Sequence, residues 1–171
     1  MLLDIVNIEK VRRALVYTGL MLLVLFVQNI ILSRISIFGV HALIVPIAVV
    51  AVGFFEGGVW GGVFGLVIGL FCDMNLNDAP VLLTVIFPII GFASGASVMF
   101  FVNKRFFSFF FVCLAALLLT ALCQMFRFIA IADTNILPVL VTAALQTLWA
   151  LPFTFAVYYP CRALSRVDLS K

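Results

Sequence analysis

The sequence predicts an all-α integral membrane protein with six transmembrane helices and both termini in the cytoplasm. Three observations carry this. Of 171 residues, 66% are hydrophobic and only 10% charged, and the mean hydropathy is +1.34; a soluble domain carries about 25% charged residues to cover its surface. Apolar runs close to the roughly 20 residues needed to cross about 30 Å of hydrocarbon recur along the whole chain. The basic residues are placed so that six crossings, and not five, gather them on one side. No composition break or charged block divides the 171 residues, so a single polytopic domain over 1–171 is expected.

The runs are taken in chain order. Residues 14–32 follow Lys10, Arg12 and Arg13; the run is longer than the core of a signal peptide and no small-residue cleavage pattern follows, so it reads as a retained first span. Residues 43–72 are too long for one upright helix, at about 45 Å. Split at Glu56-Gly57-Gly58 they give two short spans, 43–55 and 57–72, joined by a tight reversal that glycine permits. Spans this short imply local bilayer thinning or burial by neighbours. Residues 80–102, 106–132 and 136–159 complete the six. Cytoplasmic loops concentrate Lys and Arg. Six spans put Lys10, Arg12, Arg13, Lys104, Arg105, Arg162, Arg166 and Lys171 inside, eight of the ten basic residues. Five spans leave three inside, so six is the better solution.

Glycine recurs at Gly53, Gly57, Gly61, Gly65 and Gly69. Residues four apart share a helix face, and a face of glycines lets a second helix approach almost backbone to backbone. This predicts a glycine-faced helix at the centre of the protein. Gly91 and Gly95 repeat the spacing on the fourth span, so Gly57, Gly61, Gly65, Gly69, Gly91 and Gly95 are the candidate packing residues. Packing between the third and fourth spans, self-association as a homodimer and docking of a partner helix are alternative uses of that face. Phe106, Phe107, Phe109, Phe110 and Phe111 follow Lys104-Arg105 and are expected to anchor the fifth span at the inner interface.

The polar residues inside the spans gather toward the outer side: Gln28 and Asn29 on the first, Asp73 closing the third, Thr120, Gln124 and Arg127 on the fifth, Thr142 and Gln146 on the sixth. Gln28, Asn29, Asp73, Gln124, Arg127 and Gln146 form the candidate outer polar cluster. Arg127 is expensive within a membrane. It either snorkels to the interface, pairs with Asp73 or Asp133, or meets a ligand or partner.

Chemistry is poorly represented. Cys72, Cys113, Cys123 and Cys161 have no CxxC spacing and read as small apolar packing residues. His41 has no partner motif, and no metal or cofactor is expected. Hydrolysis within the membrane needs a nucleophile with a base, or a metal; the spans offer no histidine, no carboxylate pair and no GxSxG. Ser94 and Ser97 have no base nearby and read as helix-packing residues. An enzyme is not expected, and neither is a nucleic-acid partner.

The pattern Gly57-x-x-x-Gly61-x-x-x-Gly65-x-x-x-Gly69-Leu70-x-x-Asp73, followed by Gly91-Phe92-x-x-Gly95, resembles the MreD family of bacterial rod-shape proteins. The segment from Met74 to Pro80 lacks the glycine expected there from the family. The resemblance implies a six-helix bundle like that of the substrate-binding S components of energy-coupling-factor transporters, in the bacterial cytoplasmic membrane. It further implies a non-catalytic scaffold in cell-wall (peptidoglycan) elongation and control of cell shape. The implied partners are an MreC-like bitopic membrane protein, the MreB filament and the elongation glycosyltransferase and transpeptidase. The alternative is an S component that binds a small molecule in an outward-facing polar cavity, although the first span offers only Ala14 and Thr18 where such subunits carry an Ala-x-x-x-Ala surface.

Overall fold

The computed structural model describes residues 8–32, 34–37, 40–75, 82–100, 106–132 and 136–166. Among them are seven α-helices: α1 (Ile8–Phe26), α2 (Val45–Glu56), α3 (Gly58–Asn75), α4 (Leu83–Phe100), α5 (Phe106–Ala132), α6 (Ile136–Ala150) and α7 (Phe153–Arg166). α1 continues into a π-helical segment, Val27–Leu32. The only strands among the described residues are the two-residue pair β1 (Ser36–Ile37) and β2 (Val40–His41), antiparallel with Ser36 opposite His41. Among the described residues, two helical stretches are long and apolar enough to cross a membrane, Leu15–Leu32 and Phe106–Gln124, and a third if α6 and α7 are one bent span.

The centre of the bundle is α2, not the glycine-rich α3. Every residue from Val45 to Phe55 is buried. Twelve residues rise only about 18 Å, too little to cross the hydrocarbon, but a helix buried on all sides has no lipid contact to match. Of the two expected consequences of its shortness, burial by neighbours is the one observed for α2. Pro46 sits in its first turn, where a missing N–H costs nothing. α3 is built the other way round. Gly61, Gly65 and Gly69 face inward, whereas Val59, Trp60, Val63, Leu66, Val67, Leu70, Phe71 and Met74 are exposed. In water this order would be inverted. Against lipid it is favourable, because lipid solvates large apolar side chains and only small ones permit close helix approach.

The sixth predicted run is broken. α6 and α7 meet at a 44° bend at Leu151-Pro152, where Pro152 has no N–H to continue the ladder. The turn is closed by Leu151 N–H to the Thr147 carbonyl at 3.1 Å and Thr154 N–H to the Leu151 carbonyl at 3.0 Å. α7 then runs on to Arg166, beyond the expected end at residue 159, with Pro160 inside it.

The phenylalanines at the start of α5 divide by helical phase instead of acting together as an anchor. Phe107 and Phe111 are exposed, but Phe109 is wholly buried. Phe106 stacks on Phe155 of α7 at 4.6 Å between centroids, and Phe109 meets Phe54 of α2 edge-on at 5.4 Å. Tyr158 touches Phe55, Phe106 and Phe109. This aromatic knot fastens α2, α5 and α7 together.

Candidate functional site

The glycines named from the sequence build a three-helix junction. A Cβ on Gly61 would lie 2.6 Å from the Gly53 Cα of α2 and against the Gly91 carbonyl of α4. A Cβ on Gly91 would in turn meet the Gly61 backbone, and one on Gly53 would meet Ser94 Oγ and the Gly91 carbonyl. The contact continues along the helix pair. A Cβ on Gly65 would lie 2.5 Å from the Phe87 carbonyl oxygen, one on Gly69 2.6 Å from the Leu83 carbonyl oxygen, and one on Gly95 against the Gly57 and Gly58 backbone. α3 and α4 are therefore antiparallel and in backbone contact over most of their length. The glycine face is filled by this chain's own helices. Gly57 is different: a Cβ there would meet open space, but its φ of +102° is left-handed, and it closes α2 by donating its N–H to the Gly53 carbonyl. Its role is the reversal between α2 and α3.

Asp73 belongs to the same unit. Its Oδ2 accepts the Thr84 N–H at 2.8 Å and the Thr84 hydroxyl at 2.7 Å, and its Oδ1 lies 3.3 Å from the Leu83 nitrogen. A carboxylate at the end of α3 thus caps the first turn of α4, where free N–H groups and the helix dipole favour negative charge. Gln28 does comparable work for α2. Its Nε2 donates to the Ala42 carbonyl and its Oε1 accepts the Ile44 N–H, both at 2.8 Å. His41 Nδ1 lies 3.2 Å from the Leu32 carbonyl, as a donor to the end of the π-helical segment.

Two members of the expected outer cluster are engaged at helix starts, by backbone and, for Asp73, also by the Thr84 hydroxyl. Gln28 serves the start of α2 and Asp73 the start of α4. Asn29 is exposed, and Gln124 and Gln146 are partly buried on α5 and α6. Arg127 lies on α5, but its side chain, like the whole of Asp133, is outside the described residues. Buried hydroxyls turn back on their own helices: Thr120 donates to the Ala116 carbonyl, Thr147 to Ala143 and Ser94 to Gly91. Ser97 likewise donates to Ala93, and Thr142 to Pro138.

Three participants were not singled out from the sequence. Thr84 is the partner of Asp73, and nothing local advertises that pairing. Tyr158 and Arg162 do carry a signal, their i, i+4 spacing on α7, which brings the guanidinium over the ring at 5.6 Å from its centroid. Cys113 and Cys161 are free thiols with no exposure. No group of three or more His, Cys, Asp or Glu side chains able to hold a metal is found among the described residues.

A groove of about 250 Å³ separates α1 from α3, lined by apolar side chains except for Thr18. Met21, Leu22 and Leu25 form one wall, and Trp60, Phe64 and Phe71 the other. α1 meets the bundle along one stripe, Tyr17, Met21 and Val24, all buried. The chain matches no protein-family model, no curated protein and no solved structure.

Proposed function

We propose that this chain is a non-catalytic membrane scaffold of the MreD type, a subunit of the bacterial rod-shape and cell-wall elongation machinery. It crosses the cytoplasmic membrane six times, with both ends inside, and docks the single transmembrane helix of an MreC-like bitopic partner. One observation carries the reading. The residues of the MreD-like pattern, from Gly57 to Asp73 and at Gly91 and Gly95, are the ones that join α3 to α4 or close the turn before them. They make a rigid platform and leave the opposite face of α3 uncovered. The partner helix lies in the groove between α1 and α3, where Met21, Leu25, Phe64 and Phe71 offer an apolar bed. In lipid, association there is driven by packing and not by the hydrophobic effect.

The transporter alternative loses ground because both oxygens of Asp73, and both ends of the Gln28 amide, are used in holding backbone. The test is cross-linking in native membranes. Cysteines replacing Phe64 and Phe71 should link to the helix of a co-purifying single-span protein, and cysteines replacing Leu118 and Leu122 on α5 should not. Links from α5 only, or the absence of any single-span companion, would overturn the scaffold. A bound vitamin-sized molecule in native mass spectrometry would favour the transporter.

A further inference from the structure

We infer that the groove between α1 and α3 binds an anionic phospholipid, with one acyl chain in the groove and the headgroup at the basic start of α1. The inference rests on the membrane-spanning reading above and not on the identity of a partner; it names what fills the groove when no helix lies over it. The groove follows α3 from Trp60 to Phe71, about 16 Å of helix. Its volume of about 250 Å³ therefore gives a mean cross-section of about 15 Å². A helix about 10 Å wide has a cross-section of about 80 Å², so a partner helix rests on the rims and sends only side chains between them. A hydrocarbon chain fits inside. An apolar cavity of about 150 Å³ takes up one benzene, six carbons, and on that scale the groove holds about ten. Spread along about 16 Å, they lie about 1.6 Å apart, close to a C–C bond of about 1.5 Å. That is one chain in single file.

Charge distinguishes the two ends of the groove. Gln28, further along α1 than the groove residues, holds the Ala42 carbonyl and the Ile44 N–H at the start of α2. α2 ends at Glu56 and α3 begins at Gly58. Thr18 and Trp60 thus share the end of the groove remote from the start of α2, and Leu25 and Phe71 share the other. Back from Thr18, α1 runs through Arg13, Arg12 and Lys10 to Glu9. Three basic residues against one acidic leave this first stretch of α1 with a net charge of +2. Arg13 is about 8 Å and Lys10 about 12 Å along the axis from Thr18, within reach of a headgroup whose chain enters the groove there. A basic segment beside a membrane span attracts anionic lipid, and tryptophan favours the headgroup level. A zwitterionic headgroup gains no net attraction from the same charges.

The experiment is native mass spectrometry of the full-length chain, reconstituted in vesicles of equal parts phosphatidylglycerol and phosphatidylcholine and then released into detergent. One phospholipid per chain should persist, phosphatidylglycerol over phosphatidylcholine by at least about fivefold. Val67→Phe fills the groove from α3 and should lower retention at least about fivefold, because an overfilled site leaves no room for the chain. Leu119→Phe, on the exposed face of α5, should leave it unchanged. Leu22→Phe fills the groove from α1 and serves should Val67→Phe fail to fold. Joint replacement of Lys10, Arg12 and Arg13 by glutamine should bring the two lipids to within about 1.5-fold of each other. Wild-type protein that keeps no phospholipid, or retention that neither filling variant lowers, overturns the inference. A headgroup preference unmoved by the glutamines overturns the assignment to the start of α1. All three leave the scaffold reading to its own cross-links, whereas failure of the chain to enter vesicles overturns the membrane reading as well.

Discussion

Gly61→Ala is the sharpest perturbation of this structure. The new methyl carbon would sit 2.6 Å from the Gly53 Cα and against the Gly91 carbonyl, both of them backbone. Ordinary contact begins near 3.4 Å, so α3 must withdraw by about 0.8 Å from two helices at once. Rotation of a side chain cannot absorb this, because neither neighbour has one at the contact. Overpacking of a tight core costs about 1–3 kcal/mol, and loss of the adjoining Gly65 and Gly69 contacts sets the value near the upper end. Alanine gains up to about 1 kcal/mol over glycine in helix propensity, a gain that shrinks where the unfolded state in detergent keeps its helices. The expected net effect is a destabilisation of about 2 kcal/mol, roughly 30-fold in the unfolding equilibrium.

The control is one residue away. At Gly62 the nearest atoms to an added Cβ are the Pro88 carbonyl at 3.7 Å and Phe92 Cβ at 3.9 Å. Gly62→Ala should therefore lie between neutral and about 1 kcal/mol more stable. The assay is reversible unfolding of the purified protein by SDS titration in mixed micelles, followed by circular dichroism and tryptophan fluorescence. Equal midpoints for Gly61→Ala and Gly62→Ala would refute the backbone-contact argument.

Other expectations follow from the same geometry. Asp73→Ala should cost about 1–2 kcal/mol through loss of the α4 cap; in a cycle with Thr84→Val the two losses should be less than additive, and strict additivity would show that the pair does not interact. Gln28→Leu leaves the Ile44 N–H and the Ala42 carbonyl without their partner and should cost about 1–3 kcal/mol for each group left buried; hydrogen exchange at the Ile44 amide should accelerate, and unchanged protection would contradict the contact. Gly57→Ala puts a side chain at φ +102°, ψ 164°, a region essentially confined to glycine, and should cost about 1–3 kcal/mol, with Gly57→Asn no milder than Gly57→Ala in the same SDS titration. On the proposed six-span topology, a cysteine at Asn77 should react in intact cells with a membrane-impermeant maleimide, whereas one at Asn103 should react only after permeabilisation; the opposite result would invert that proposal.

The residues made some of this fold readable and concealed the rest for physical reasons. The spacing of Gly61, Gly65 and Gly69 marks a packing face, and Gly91 with Gly95 identifies a matching one, because only glycine allows such approach. Glu56-Gly57-Gly58 similarly marks a reversal. The central position of α2 was concealed: in a protein surrounded by lipid, a helix apolar all round can be core or periphery, and Val45–Phe55 looks no different from a lipid-facing run. The break at Pro152 lay inside an uninterrupted apolar stretch whose length suited a single helix. The sequence groups the outer polar residues by depth alone. Depth says nothing of azimuth, and the partners of Gln28 and Asp73 are backbone amides, which every residue but proline carries. Their assignment needed the three-dimensional arrangement.

Both of these inter-helix caps point the same way along the chain. Gln28 receives the amide of Ile44, and Asp73 receives those of Leu83 and Thr84; each acceptor is synthesised before the helix whose first turn it completes. During insertion, the exposed N–H groups that open α2 and α4 thus arrive to find their acceptors already made. The order of synthesis supplies each late helix with its anchor in advance, and a circular permutation opened between Asp73 and Leu83 would reverse that order at α4 while keeping both partners of the cap.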